Sequence, residues 1–102
     1  MPRGDARLRT ESGQLNQVAD RMRARRRLLK MTQERLCGRL SDVTQGRWIA
    51  ARKEIVHLEA GTRIVSDLEI LALADALECS PSWLLTGQED RPLTASPSTP
   101  YE

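Results

Sequence analysis

The sequence predicts an all-α domain of five short helices, and three observations carry that prediction. Apolar residues recur at helical spacing: Val18, Met22 and Leu29, then Met31, Leu36 and Leu40, then Ile55 and Leu58. Helix starts are marked by Thr32 before Gln33, by the capping box Ser66-Asp67-Leu68-Glu69, and by Ser80 followed by Pro81. Helix stops are marked by Gly61 and Gly87, since a glycine in the left-handed conformation carries no Cβ penalty. A chain of 102 residues allows one domain. With both ends set aside about seventy residues remain to fold, near the lower limit for a core without metals or disulfides.

The ends are expected to be disordered. Residues 1–13 read as a basic N-terminal arm without periodicity, and residues 88–102 as a tail rich in Pro, Ser and Thr, with too little apolar surface to order itself. Residues 14–87 are then the domain. Arg3, Arg7 and Arg9 give the arm a charge suited to lying along DNA, but a disordered terminus with no role is the favoured reading.

Within the domain the first helix is expected over Gln14–Leu29, with Arg25 in a gap of its apolar stripe, its alkyl stem along the core edge and its guanidinium in water. Arg21, Arg23, Arg25, Arg26 and Arg27 surround much of its polar face, as a solvated surface or as contacts to a phosphate backbone. The second helix runs from Thr32 or Gln33 to about Leu40, and a long connection, Ser41–Ala50, follows. There Trp48 and Ile49 are too apolar for water and should tuck against helix two or three; a stacking or wedge contact of Trp48 on DNA is the competing reading. The third helix ends at Glu59 or Ala60 with Ile55 and Leu58 inward, and Thr44 is available to cap an early start. In the fourth, Leu68, Leu71, Ala72, Asp75 and Ala76 are expected to share a broad core face ending at Leu77; the fifth presents Trp83, Leu84 and Leu85.

Net charge is only +2, but its distribution is uneven. Residues 1–30 carry +6, residues 31–63 carry +2 and residues 64–102 carry −6. A fold that separates its ends would have a basic face turned toward a polyanion and an acidic rear. Cys37 and Cys79 form no Cys-x-x-Cys pair and are expected as reduced core thiols. With His57 as the single histidine, no glycine-rich phosphate loop and no ligand cluster, no metal, no cofactor and no enzymatic activity are expected. Apolar stretches are too short to cross a bilayer and no leader is recognisable, so a cytoplasmic protein without membrane contact is expected.

Four fragments in order carry a resemblance: Met31-Thr32-Gln33, Ile55-x-x-Leu58-Glu59-x-Gly61, Leu68 through Leu77, and Ser80-Pro81-Ser82-Trp83-Leu84-Leu85. Residues 18–87 resemble the phage-repressor type of helix-turn-helix domain, the Cro/CI or XRE-type family, and within it a subset with a longer tryptophan-containing turn before the recognition helix. The resemblance implies a compact five-helix domain and a sequence-specific regulator of transcription that binds double-stranded DNA as a homodimer. Two half-sites would lie about one helical turn apart. It assigns Gln33 to a phosphate, with a structural role at the helix N-terminus as the alternative, and the base-reading positions to Ala51, Arg52 and Lys53, with Arg52 first; His57 falls one turn on, as a further base-reading position or, the favoured reading, as a surface residue touching phosphate. Ala51 stands where the family has a Ser or Thr cap. Thr62 and Arg63 would start a loop along the DNA backbone, Glu59 would brace the domain, and Cys37 and Cys79 fall at core positions. Arg47, with no apolar reason to be buried, is a further candidate for DNA. Dimerisation through the last helix would expose Trp83 or Leu84; burial of both within the monomer is the equally weighted alternative.

The expected role is a repressor occupying an inverted-repeat operator. No effector domain is recognisable after Gly87, so control would come from concentration, proteolysis or a protein partner. Two other readings use the same fold: an antitoxin that binds its operator and a toxin, and an interaction module that has lost DNA binding. Loss of the basic residues of helix three would mark the latter, and they are present.

Overall fold

A computed structural model describes residues 7–89. Most of the N-terminal arm's first half and nearly all of the tail expected at 88–102 therefore lie outside the described residues. Five helices follow one another: α1 (Ala19–Leu28), α2 (Gln33–Val43), α3 (Arg52–Ala60), α4 (Asp67–Ala76) and α5 (Pro81–Thr86). No strand occurs among the described residues.

The caps act as their residue types predict. Thr32 Oγ1 accepts the Arg35 N–H at 3.0 Å, and Ser80 Oγ accepts the Trp83 N–H at 3.0 Å. Ser66 Oγ accepts the Glu69 N–H at 3.2 Å while Glu69 Oε1 accepts the Ser66 N–H at 3.0 Å, a complete capping box. Gly61 and Gly87 end α3 and α5 with φ of 77° and 81°. The positive φ at Gly61 favours glycine, and a Cβ there, 2.7 Å from the Gln14 side chain, would also displace that side chain.

Helix α1 starts five residues later than its apolar pattern suggests. The cause is Asn16, buried, whose Oδ1 accepts the N–H groups of both Val18 and Ala19 at 3.0 Å, satisfying donors that an earlier helix would have used. Its Nδ2 donates to the Leu58 and Arg63 carbonyls, at 3.1 and 2.9 Å, and so fastens the entry of α1 to the end of α3. Helix α2 runs on to Val43. Thr44 does not cap an early α3: its hydroxyl donates to Leu40 O at 2.7 Å and accepts the Trp48 N–H at 2.9 Å, which closes α2 and turns the chain. Helix α3 accordingly begins only at Arg52.

Val18, Met22, Leu36, Leu40, Ile55, Leu58, Leu73, Leu77 and Leu84 are fully buried and form the core. Helix α2 packs on α3 and α4, α1 on α3, and α4 on α5. Trp48 tucks against this core as expected, but Ile49 is 78% exposed. The inward face of α4 is Ile70, Leu73, Ala74 and Ala76, continued by Leu77 at its end, with Ala72 packed against the core; Ala72 and Ala76 lie as expected, whereas Leu68, Leu71 and Asp75, expected on the same face, point out, the leucines 75% and 57% exposed. Leu84 is wholly buried in the monomer and so does not supply a surface for a partner. Cys37 and Cys79 are free and half-buried against the core. Burial raises both thiol pKa values, with Glu34 and Glu54 adding to it at Cys37 and Glu89 at Cys79, against smaller opposing effects of a backbone hydrogen bond on Cys37 and of Arg25 on Cys79, and so disfavours reactive thiolate.

The arginines of α1 are largely used inside the fold. Arg21 donates to the Leu84 and Leu85 carbonyls, Arg23 to Glu59 O, and Arg25 to Leu77 O and Glu78 O, all at 2.7–2.8 Å. Each places a cation on the C-terminal carbonyls of another helix, where the dipole favours it. Arg26 is buried and binds Glu59 through two bonds, Nε to Oε2 at 2.7 Å and Nη2 to Oε1 at 2.9 Å, with Nη1 on Met31 O at 2.9 Å.

Breaking this buried pair from one side leaves an uncompensated charge in the core. Glu59→Leu should lower stability by about 3–5 kcal/mol, and adding Arg26→Met should recover most of that loss, both read from urea unfolding midpoints. Gln45 closes α2 at φ 55°, a conformation that costs a residue with a Cβ. Gln45→Gly should therefore raise stability by up to about 1 kcal/mol, visible as a higher urea midpoint at unchanged slope.

Candidate nucleic-acid interface

Three buried positions, Ile55, Leu58 and Glu59, fix the roll of α3, so Arg52, Lys53, Val56 and His57 face outward together. Ala51 is the N-cap residue, exposed and in extended conformation, and offers no side-chain acceptor to the first N–H groups of the helix. The N-terminal turn of α3 thus presents uncapped donors beside two cations, an arrangement that favours an anion.

Gln33, the first residue of α2, lies between the core and that surface. Its Nε2 donates to Glu59 Oε1 at 3.2 Å and its Oε1 accepts Arg52 Nε at 3.2 Å. Glu34 Oε2 lies 3.2 Å from the same Arg52 nitrogen. Arg52 is therefore steered through Nε, and neither Nη group forms a hydrogen bond among the described residues, which leaves the guanidinium fork able to donate. A fork of that kind matches guanine O6 and N7. Lys53 is exposed and forms no ion pair among the described residues.

At the other end of α3 the His57 Nδ1 and Thr62 Oγ1 share a hydrogen bond of 3.0 Å across the glycine stop. This fixes the ring over the start of the α3–α4 loop. Arg63 is turned away from solvent: Nη1 and Nη2 each bind a Glu69 carboxylate oxygen at 2.9 Å, and Nη1 also donates to Ile64 O at 3.0 Å. Arg47 is set apart from these residues. It is exposed on the α2–α3 connection, on the rim of a groove of about 520 Å³ that it shares with Trp48, Leu68, Leu71 and Asp75.

Gln33 and Arg52 are thus brought into contact, His57 and Thr62 likewise, with Ala51 and Lys53 on the same turn as Arg52. Sequence reasoning did not single out Glu34 as the second partner of Arg52, and only the helical position of Glu34 beside Gln33 bears on it. It also passed over Lys30 and Arg35, exposed cations that flank the start of α2 and border a second groove. Among the described residues no group of His, Cys, Asp and Glu is arranged to hold a metal, and no helix is long and apolar enough to cross a membrane.

The bidentate bonds from Arg63, aided by the Ser66 N–H and opposed by burial, hold the Glu69 carboxyl below the ordinary carboxylate range. The pairing therefore contributes in full above the unfolded value, about 4.3, and its contribution is lost as pH falls through the lower folded value. Glu69→Gln preserves shape and capping capacity while removing the charge. It should cost about 1–2 kcal/mol at neutral pH, and the gap to the native chain should close under acid conditions, checked by thermal unfolding on either side of that range.

No family model and no solved structure matches the chain. Among curated proteins it is similar to the HTH-type transcriptional regulator DicA of Escherichia coli (strain K12), with 32% identity over 87 residues. The alignment takes in 83% of this chain and 54% of the relative, so the chain spans about half the length of the curated protein it matches.

Proposed function

We propose that this protein is a transcriptional regulator that binds double-stranded DNA sequence-specifically, with α3 in the major groove and two copies on the halves of an inverted repeat. The observation that carries the reading is the exposed turn of α3, where Arg52 is steered by Gln33 and Glu34 with neither Nη group hydrogen-bonded among the described residues. In this reading Arg52 and Lys53 read base edges, and Ala51 lets the backbone of the first turn approach the groove without a side chain in the way. Gln33 donates to a phosphate at the start of α2. His57 and Thr62 touch the backbone at the far end of α3, and Arg63, paired with Glu69, sets the path of the loop beside it. Similarity to a helix-turn-helix regulator supports the same assignment. Occupancy of an operator that overlaps a promoter would make it a repressor.

The test is a selection of genomic fragments by the purified protein near physiological salt, run beside the Arg52→Ala, Lys53→Ala double variant. Recovery of one short inverted repeat by the native chain alone is the expected result, with affinity falling steeply as salt rises. Loss of the Arg52 contact should relax discrimination by about 1–3 kcal/mol at one base pair of each half-site. Retention of the same unselected fragments by both proteins would refute base reading by α3.

A further inference from the structure

Glu34 stands on the first turn of α2, and its carboxylate Oε2 lies 3.2 Å from Arg52 Nε. The same Nε donates to Gln33 Oε1 at 3.2 Å, and Gln33 is itself anchored through Nε2 to the buried Glu59. One end of the guanidinium is thus held from two consecutive residues of another helix, while neither Nη group forms a hydrogen bond among the described residues. The fold does not account for Glu34. Thr32 already caps α2, and an acid on the first turn suits the helix dipole only weakly at so open a position. The two side chains of the ion pair are mostly exposed, 61% for Arg52 and 69% for Glu34, and such a pair adds little to stability.

We infer that Glu34 is the positioning residue that reserves Arg52 for a base edge. Phosphate oxygens line the whole duplex and offer an arginine charge-assisted hydrogen bonds at every step, yet such contacts carry no sequence information. A carboxylate beside the guanidinium offsets its charge and repels a phosphate that comes to the Nη groups. A guanine edge is uncharged and presents O6 and N7 as two acceptors, so the same carboxylate opposes it far less. Glu34 therefore weakens binding to any DNA, and weakens it most where Arg52 has only phosphate to hold. Discrimination rises because the wrong contact is penalised, not because the right one is strengthened. The role rests on the DNA reading of α3, and it adds to that reading a residue of α2 that itself touches neither base nor phosphate.

The full chain is compared with Glu34→Ala and Glu34→Gln, each alone and combined with Arg52→Ala. Without DNA, nitrogen-15 NMR of the Arg52 Nε–H reads the contact itself. Glu34→Ala should speed its exchange with water by about twofold to fivefold, the size of an exposed ion pair, with helical circular dichroism unchanged. Binding is then measured across salt to the inverted repeat that the native chain selects and to a duplex of the same length without it. Glu34→Ala should tighten binding to the plain duplex and steepen its salt slope by about 0.9 for each copy bound, one more phosphate neutralised. Discrimination between the two duplexes should fall by about threefold to thirtyfold. Glu34→Gln keeps an acceptor for Nε without the charge, so exchange should stay near the native rate while discrimination is still lost. In the Arg52→Ala background the Glu34 changes should shift both duplexes alike. Unchanged exchange in Glu34→Ala overturns the role, as does full discrimination in either Glu34 variant or a loss of discrimination that persists without Arg52; each leaves the DNA reading standing. A native chain that selects no repeat, while Arg52 exchange responds to Glu34, refutes the DNA reading and the role with it.

Discussion

Three helices of this domain meet on one carboxylate. Glu59, near the end of α3, takes two bonds from Arg26 of α1 and one from Gln33 of α2, and Arg26 spends its remaining Nη on the Met31 carbonyl between those helices. A carboxylate and a guanidinium nine-tenths removed from water are costly unless every lone pair and donor is answered. The geometry that answers them leaves little freedom in how α3 is rolled and set against α2. The outward face of α3 depends on that constraint, because Arg52 is reached from Glu59 through a single side chain, Gln33. The net stability from a buried ion pair of this type is one that a well-packed apolar substitute for both partners could equal.

The charge of the chain serves the fold before it serves any partner. The basic N-terminal third suggested a polyanion-facing helix, yet Arg21, Arg23 and Arg25 lie on the terminal carbonyls of α5, α3 and α4. Arg39 of α2 adds a second cation at the end of α4, on Ala76 O at 2.9 Å. Helices this short have a large share of unsatisfied carbonyls, and no water need be ordered where a guanidinium reaches them. The basicity left for a ligand comes from the residues the fold does not consume, chiefly Arg52 and Lys53 on α3 with Lys30 and Arg35 beside the start of α2.

The number of helices and most of their starts were legible in the sequence, because Thr32, Ser66 and Ser80 with Pro81 are local signals that act through bonds to the next turn. The stops at Gly61 and Gly87 were legible for the same reason. The ends of α1 and α4 fell within a residue of Leu29 and Leu77, but the end of α2 was not legible, since it runs past Leu40 to Val43 and the left-handed residue beyond it is Gln45, a residue type that carries no mark of positive φ. Asn16 read as part of a helix because its competition for the backbone is visible only once α3 is beside it. For α4 the composition itself hid the answer: with apolar residues all round, periodicity cannot say which stripe faces the core. At the site, the outward residues of α3 followed from Ile55 and Leu58 pointing in, whereas the turning of Arg63 toward Glu69 is a tertiary contact that spacing does not encode.

The hydrogen bond from Trp48 Nε1 to Glu54 Oε1, at 3.2 Å, joins the α2–α3 connection to the first turn of α3. Indole emission responds to the polarity and bonding of its N–H, so this residue is an optical reporter placed by the fold beside the helix proposed to enter DNA. Trp83, on α5 and half-buried against the core beside Arg25, Glu78 and Cys79, is a second emitter. With Trp83→Phe the indole fluorescence, excited apart from that of Tyr101, would come from the connection alone, and movement of α3 could be followed in time without attaching a dye.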